Sequence, residues 1–308
     1  MNILKYSSIA KQKPFVCARW LRAFFCSNIL RRRVLRGVEF AVTYKCQVNC
    51  VKCSCADLVN NHRRELSTEE IINLSNQVIN AGALLINFTG GEALLRNDIM
   101  DILRKLKDRS VVLSLSTNAL LYSESLMNDL KKSGLNVIQV SLNSPYADEH
   151  DREIGIKGSF SRSLACIMEA RSLGIEVLIN SVITRDILYS DRMEKLYNIA
   201  KQNKSYLSFI FPARVGGWKE ENVNLDYADY QIIKKWLNLS FVTTDSETCF
   251  KGRICPAGTE KVYISPYGDL YPCPFIHNNQ GNILDKGFFD LWNSMSVNSF
   301  NHCLNLRM

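Results

Sequence analysis

Four cysteines fall within ten residues, Cys46, Cys50, Cys53 and Cys55. The spacing Cys46-x3-Cys50-x2-Cys53 offers three thiolates on one short loop. Three protein ligands on a four-iron cluster leave one iron with an open coordination position, where a substrate can bind. A zinc site is the alternative, with Cys55 or His62 as fourth ligand. A second set, Cys249, Cys255, Cys273 and Cys303, lies near the end of the chain. The chain has eleven cysteines in all, an odd number, and no recognisable secretory signal. Clustered thiols in that setting indicate metal ligation in a reducing compartment rather than disulfides. Cys17, Cys26 and Cys166 are scattered and read as small apolar residues. The four histidines, His62, His150, His277 and His302, show no mutual spacing that suggests a site.

These residues need a frame. Strand-like runs are expected at Val38–Thr43, Leu84–Thr89, Val111–Ser116, Asn136–Leu142, Glu176–Thr184 and Tyr206–Phe211. Helical patterns separate most of them. Ser67-Thr68-Glu69-Glu70 reads as a capping box. Gly134 and Gly174 stand where a glycine ends a helix. Alternating strands and helices predict a parallel α/β sheet, and the mostly apolar strands predict cover on both faces. Ligands in such folds bind at the carboxyl ends of strands. Every strand end here carries polar or metal-binding groups. The first leads into the cysteine loop, and the second into Thr89-Gly90-Gly91-Glu92. The next four end on Ser116-Thr117-Asn118, Ser141-Leu142-Asn143, Thr184 and Arg214. Taken one at a time, these are ordinary strand-end residues, and a double glycine is an ordinary turn. Their joint order is the specific signal.

In this order of strand ends the sequence resembles the radical S-adenosylmethionine (SAM) enzymes. The C-x3-C-x2-C loop, G-G-E and T-N follow successive strands as in that family. The resemblance implies an α/β partial (β/α)6 TIM-like barrel over residues 38–240. It implies that Cys46, Cys50 and Cys53 hold a [4Fe-4S] cluster whose open iron is chelated by SAM. Gly90, Gly91 and Glu92 would contact the methionyl end of SAM, with Thr117 and Ser141 near the ribose or carboxylate. The implied chemistry is reductive cleavage of SAM to a 5′-deoxyadenosyl radical, which takes hydrogen from a substrate. The sequence departs from the family pattern at Lys52, usually aromatic or His, at Ala93 in place of proline, and at Ala119 in place of glycine. Arg152 stands at an uncommon offset for the arginine often found after the fourth strand.

Residues 241–308 resemble the auxiliary-cluster extension of the SPASM/twitch group. The carrying residues are Cys249-x5-Cys255-x17-Cys273, a Gly268-x4-Cys273 hairpin and Cys303. The resemblance implies one auxiliary [4Fe-4S] cluster in the shorter, twitch-like form. It also implies a peptide or small-molecule substrate and an electron donor such as a flavodoxin or ferredoxin.

Composition agrees with a folded enzyme. Of 308 residues, 46% are hydrophobic and 22% charged. No apolar run approaches the ~20 residues that a membrane span needs. The net charge is +8, yet residues 1–37 alone hold nine basic residues and no acid. The remainder is close to neutral and does not read as a nucleic-acid-binding surface. The leader is expected to form an amphipathic helix near 14–30. Val16, Trp20, Leu21, Phe24 and Phe25 fall on one arc, with Arg19 and Arg22 outside it. Such a helix either packs on the barrel or lies on a membrane surface. The expectation is a cytoplasmic enzyme with a peripheral membrane contact through residues 1–37 as one option, which would favour a lipid substrate. A non-catalytic zinc-stabilised binding protein is the alternative of another class.

Overall fold

The structure is a computed structural model and describes residues 9, 12–30, 32–244, 246 and 255–295. Among the described residues nine strands form one sheet, in the order β7-β6-β5-β4-β3-β2-β1-β8-β9. They are β1 (Gly37–Thr43), β2 (Leu85–Gly90), β3 (Val112–Thr117), β4 (Val137–Ser141), β5 (Glu176–Val182), β6 (Tyr206–Ile210), β7 (Val242–Thr244), β8 (Lys261–Ile264) and β9 (Leu270–Tyr271). All pairs are parallel except β8 with β9. The sequence placed the first six to within one or two residues at most ends. The sheet runs past residue 240, since β7 extends it beyond β6 and β8 joins it at the free edge of β1.

The helices are α1 (Pro14–Asn28), α2 (Thr68–Ala81), α3 (Ile99–Leu106), α4 (Glu124–Lys132), α5 (Ala147–Ile154), α6 (Ser159–Ser172), α7 (Arg185–Leu188), α8 (Arg192–Gln202), α9 (Tyr227–Leu237), α10 (Ile283–Lys286) and α11 (Phe288–Ser294). α2 opens with the full capping box: Ser67 accepts from Glu70 N–H, and Glu70 accepts from Ser67 N–H.

The strands alternate more strictly than the sequence suggested. Val38, Phe40 and Val42 of β1 face outward into a continuous apolar core, as do Ile86 and Phe88 of β2 and Leu113 and Leu115 of β3. The opposite face is polar at mid-depth. Glu39, Asn87, Ser116, Gln139, Asn180 and Ser208, one from each of β1 to β6, line a cavity of about 500 Å³ inside the half-closed barrel. The expectation of two apolar faces therefore gives way to a period-two pattern with a polar inner side.

Helix α1 closes the end of the barrel opposite the cysteine loop. Val16 and Ala23 join Ile9 in packing on Leu84, Val112, Val137 and Leu178, near the beginnings of four strands. Trp20 packs on the same cluster and stacks on Phe24 at 5.4 Å. The predicted apolar arc divides: Leu21 and Phe25 point outward, at 61% and 49% exposure. Arg19 turns inward and donates to the carbonyls of Ile79 (2.6 Å) and Ser110. Lys13 donates to the carbonyls of Lys107 and Arg109. Arg33 lies over the Trp292 ring at 4.0 Å, and Arg36 pairs with Glu260. Much of the leader's basic charge thus has an internal partner.

Candidate active site

The cysteine loop continues directly from β1. Its entry is fixed by backbone contact with the end of β2, where Gly91 N–H donates to Thr43 O and Glu92 N–H donates to Lys45 O, both at 2.9 Å. A Cβ on Gly90 would lie 1.9 Å from Thr43 O, and one on Gly91 would lie 2.4 Å from Lys45 O. No side chain fits at either place. A second pair of glycines holds the loop from the other side. Gly217, in the turn after β6, donates its N–H to Cys53 O at 2.9 Å. A Cβ on Gly217 would meet Val51 O at 1.9 Å, and one on Gly216 would meet Cys53 O at 2.1 Å. The sequence reading missed this pair, although two adjacent glycines after a strand were visible. Lys52, the residue that departs from the aromatic pattern, ion-pairs with Glu153 (3.4 Å) and stands 5.3 Å from the Trp218 ring.

The thiols share one electrostatic setting. Burial, and then the neighbouring Cys53 and Cys46, push Cys50 up to about 11. Burial also raises Cys46. Cys53 is instead lowered, chiefly because the Cys55 thiol donates to it across 3.5 Å. Cys55 is driven up correspondingly. It packs beside Tyr44 and Tyr263 and faces the cavity. Among the described residues no three metal-ligating side chains converge on one ion position. A four-iron cluster nonetheless suits this donor set: three thiols on one glycine-cradled loop, with Cys46 exposed on its open side.

Glu92 and Thr117 come together, but on each other. Glu92 is 1% exposed. Its Oε1 accepts from Leu94 N–H (3.1 Å), and its Oε2 accepts from Thr117 Oγ1 (3.1 Å) and Asn118 N–H (2.9 Å). Burial raises its pKa against these three donors. Asn118 extends back to the cysteine loop, accepting from Gln47 Nε2 at 3.2 Å. Ala119, where the family pattern has glycine, sits in the left-handed region at φ 61°. Ser141 lies at the end of β4 on the cavity wall. Arg152 is exposed on α5.

The C-terminal hairpin clamps the segment that follows the cysteine loop. Leu66 N–H donates to Pro266 O (2.7 Å), and Asn60 N–H donates to Tyr267 Oη (2.8 Å). Arg63 pairs with Asp269 through both guanidinium nitrogens and lies 4.8 Å from the Tyr267 ring centre. His277 reaches Asp57 at 3.0 Å, a contact that its sequence spacing did not show. Tyr44 and Tyr263 share a buried hydrogen bond of 2.6 Å between the two parts. Cys273 is buried and Cys255 half-buried; Cys249 and Cys303 lie outside the described residues. Gly258 N–H donates to Pro272 O at 3.1 Å, so the turns after Cys255 and before Cys273 are neighbours.

This order of parallel strands, cysteine loop and strand-end polar groups matches a known family. The profile of the radical SAM superfamily covers residues 40–199, and that of the SPASM iron-sulfur cluster-binding domain covers residues 255–307. The chain belongs to the radical SAM superfamily. Within it, the chain is an enzyme of the SPASM-bearing kind, whose cofactors are SAM, its [4Fe-4S] cluster and auxiliary iron-sulfur chemistry. The chain is similar to the AdoMet-dependent heme synthase of Methanosarcina barkeri, at 25% identity over 294 residues, covering 85% of this chain and 83% of the relative. It is also similar to the PqqA peptide cyclase of Granulibacter bethesdensis, at 22% identity over 83% of this chain and 73% of the relative. Among solved structures, Streptococcus suis SuiB bound to its precursor peptide SuiA superposes with a TM-score of 0.72 at 19% identity, covering 87% of this chain and 67% of SuiB. Among the described residues no helix is long and apolar enough to cross a membrane.

Proposed function

We propose that this enzyme modifies a peptide side chain, with Cys46, Cys50 and Cys53 holding the SAM-binding cluster. The observation that carries this reading is the placement of the glycine-cradled cysteine loop at a cavity of about 500 Å³ whose strand wall carries polar side chains. A cavity of that volume accommodates a side chain or a small metabolite. When bound, the cluster would supply the electron for reductive cleavage of SAM, the source of the radical that would take hydrogen from the substrate.

The chain's own residues do the rest. Gly90 and Gly91 let the β2 backbone approach β1 and present its end to the methionyl part of SAM. Glu92 sets the ends of β2 and β3, and Thr117 and Ser141 face the ribose or carboxylate. Helix α1 closes the cavity floor and keeps bulk water from the radical. Cys255 and Cys273, with Cys249 and Cys303, hold one auxiliary [4Fe-4S] cluster. A flavodoxin or ferredoxin supplies electrons. Residues left facing outward on α1, including Phe15, Leu21, Phe25 and Arg22, form the remaining surface for a peripheral membrane contact.

Peptide substrates are favoured by two similar proteins, the PqqA peptide cyclase and SuiB, which is bound to its precursor peptide SuiA. The heme synthase match over 85% of the chain supports a tetrapyrrole as second reading. The test is anaerobic incubation of reconstituted enzyme with SAM, dithionite and either short peptides encoded beside its gene or a tetrapyrrole. A mass change in a peptide, with 5′-deoxyadenosine formed in step, supports the first reading. A change confined to the tetrapyrrole overturns it.

A further inference from the structure

The inner polar face of the barrel is joined by amide side chains. Asn87 Nδ2 donates to Glu39 Oε2 (2.6 Å) and to Ser116 Oγ (2.9 Å). Gln139 Nε2 donates to Ser114 Oγ (3.0 Å), and Asn180 Nδ2 donates to Gln139 Oε1 (2.9 Å). The Glu39 carboxylate only accepts, so it fixes how Asn87 is turned: a flipped Asn87 would set its oxygen against it. Gln139 and Asn180 turn only together, with Ser114 Oγ then donating.

One acceptor is left over. Asn87 Oδ1 is buried with no hydrogen-bond partner among the described residues. Asn87 is 2% exposed and lines the cavity. An acceptor buried without a donor costs about 1–3 kcal/mol, so this position calls for an N–H or O–H group. Glu39 stands on the same wall. Among the described cations on the wall, Arg36 is paired with Glu260, and Lys261 has a partner of its own.

We infer that this polar girdle recognises the end of the substrate, and that it takes a nitrogen group rich in N–H donors: a carboxamide, an ammonium or a guanidinium. Carboxylates and phosphates of equal size bring only acceptors and are turned away. The depth agrees. Gln139 lies two residues below Ser141 at the strand end, a drop of about 6.6 Å. A side chain with its backbone at the strand ends therefore reaches the girdle with its terminal nitrogen, in the length range of glutamine, lysine or arginine. The carbon to be attacked then stays at the level of the cysteine loop. This inference rests on the radical SAM reading of the same cavity and names its substrate class.

The test uses reconstituted full-length enzyme with SAM and three capped amino acids of matched length: N-acetyl methylamides of glutamine, glutamate and norleucine. Saturation-transfer NMR reads binding at millimolar probe. The glutamine probe should bind about tenfold better than its glutamate isostere. In Asn87→Leu that preference should fall toward one, and Asn87→Ser provides the same comparison if the leucine variant fails to bind iron. Equal binding of glutamine and glutamate, a preference unchanged in both variants, or no binding of any probe would overturn the inference. Formation of 5′-deoxyadenosine from SAM is scored separately. If it occurs without the probe preference, the girdle assignment fails alone; if it never occurs, the underlying functional reading fails.

Discussion

Thr117 Oγ1 donates to the buried carboxylate of Glu92 at 3.1 Å, joining the end of β3 to the end of β2 directly behind the cysteine loop. Glu92 is thereby a structural centre as well as a candidate SAM contact. Each of its oxygens faces donors, so an amide in its place must turn an NH2 group toward another N–H or O–H. Glu92→Gln should lower stability by about 2 kcal/mol, seen as a drop of several degrees in melting temperature without SAM. A residue that only contacts SAM would leave that temperature unchanged.

Gly217 lets the turn after β6 approach Val51 O and Cys53 N. The extra methyl of Gly217→Ala would stand 1.9 Å from Val51 O. The loop must shift, since backbone blocks the methyl on that side. Gly217 itself is exposed, so the core is not disturbed. The expected result is a well-folded chain that loses about half its iron on reconstitution, if the proposed two four-iron sites hold and the SAM-binding one is spoiled. Iron and sulfide assays with circular dichroism check this.

His150 is fully buried in α5, and neither ring nitrogen has a hydrogen-bond partner. Burial lowers its pKa from 6.5 to about 4. The unfolded chain therefore binds a proton below about pH 6.5 that the folded chain refuses until about pH 4. Stability contributed by neutral His150 is complete above that window and falls through it, by about 3 kcal/mol in all. His150→Phe should flatten this part of the profile, measured as melting temperature at pH 7 and pH 5. An equal fall in both proteins would exclude His150 as the cause.

Much of the barrel was legible in the sequence because its outward residues are apolar and its helices carry strong start and stop signals, such as the Ser67 capping box and Gly134. The cysteine loop and its partners were legible through strand order. The polar inner face was overlooked because Glu39, Asn87, Gln139 and Asn180 stand singly among β-branched residues, and each alone looks like a strand interruption. The leader was misjudged in detail for a different reason. Its apolar residues encircle the helix too broadly for periodicity to say that Trp20 faces in while Leu21 and Phe25 face out. The seating of β8 against β1, and the Arg63–Asp269 clamp across 206 positions, depend on tertiary pairing that local patterns do not carry.

The central claim is that Cys46, Cys50 and Cys53 hold the cluster that cleaves SAM. The direct measurement replaces all three by alanine and compares iron content and 5′-deoxyadenosine formation with the parent enzyme under dithionite. The account predicts loss of about four irons per chain and of SAM cleavage altogether, with the auxiliary iron retained. A triple variant that still cleaves SAM at the parental rate would contradict it.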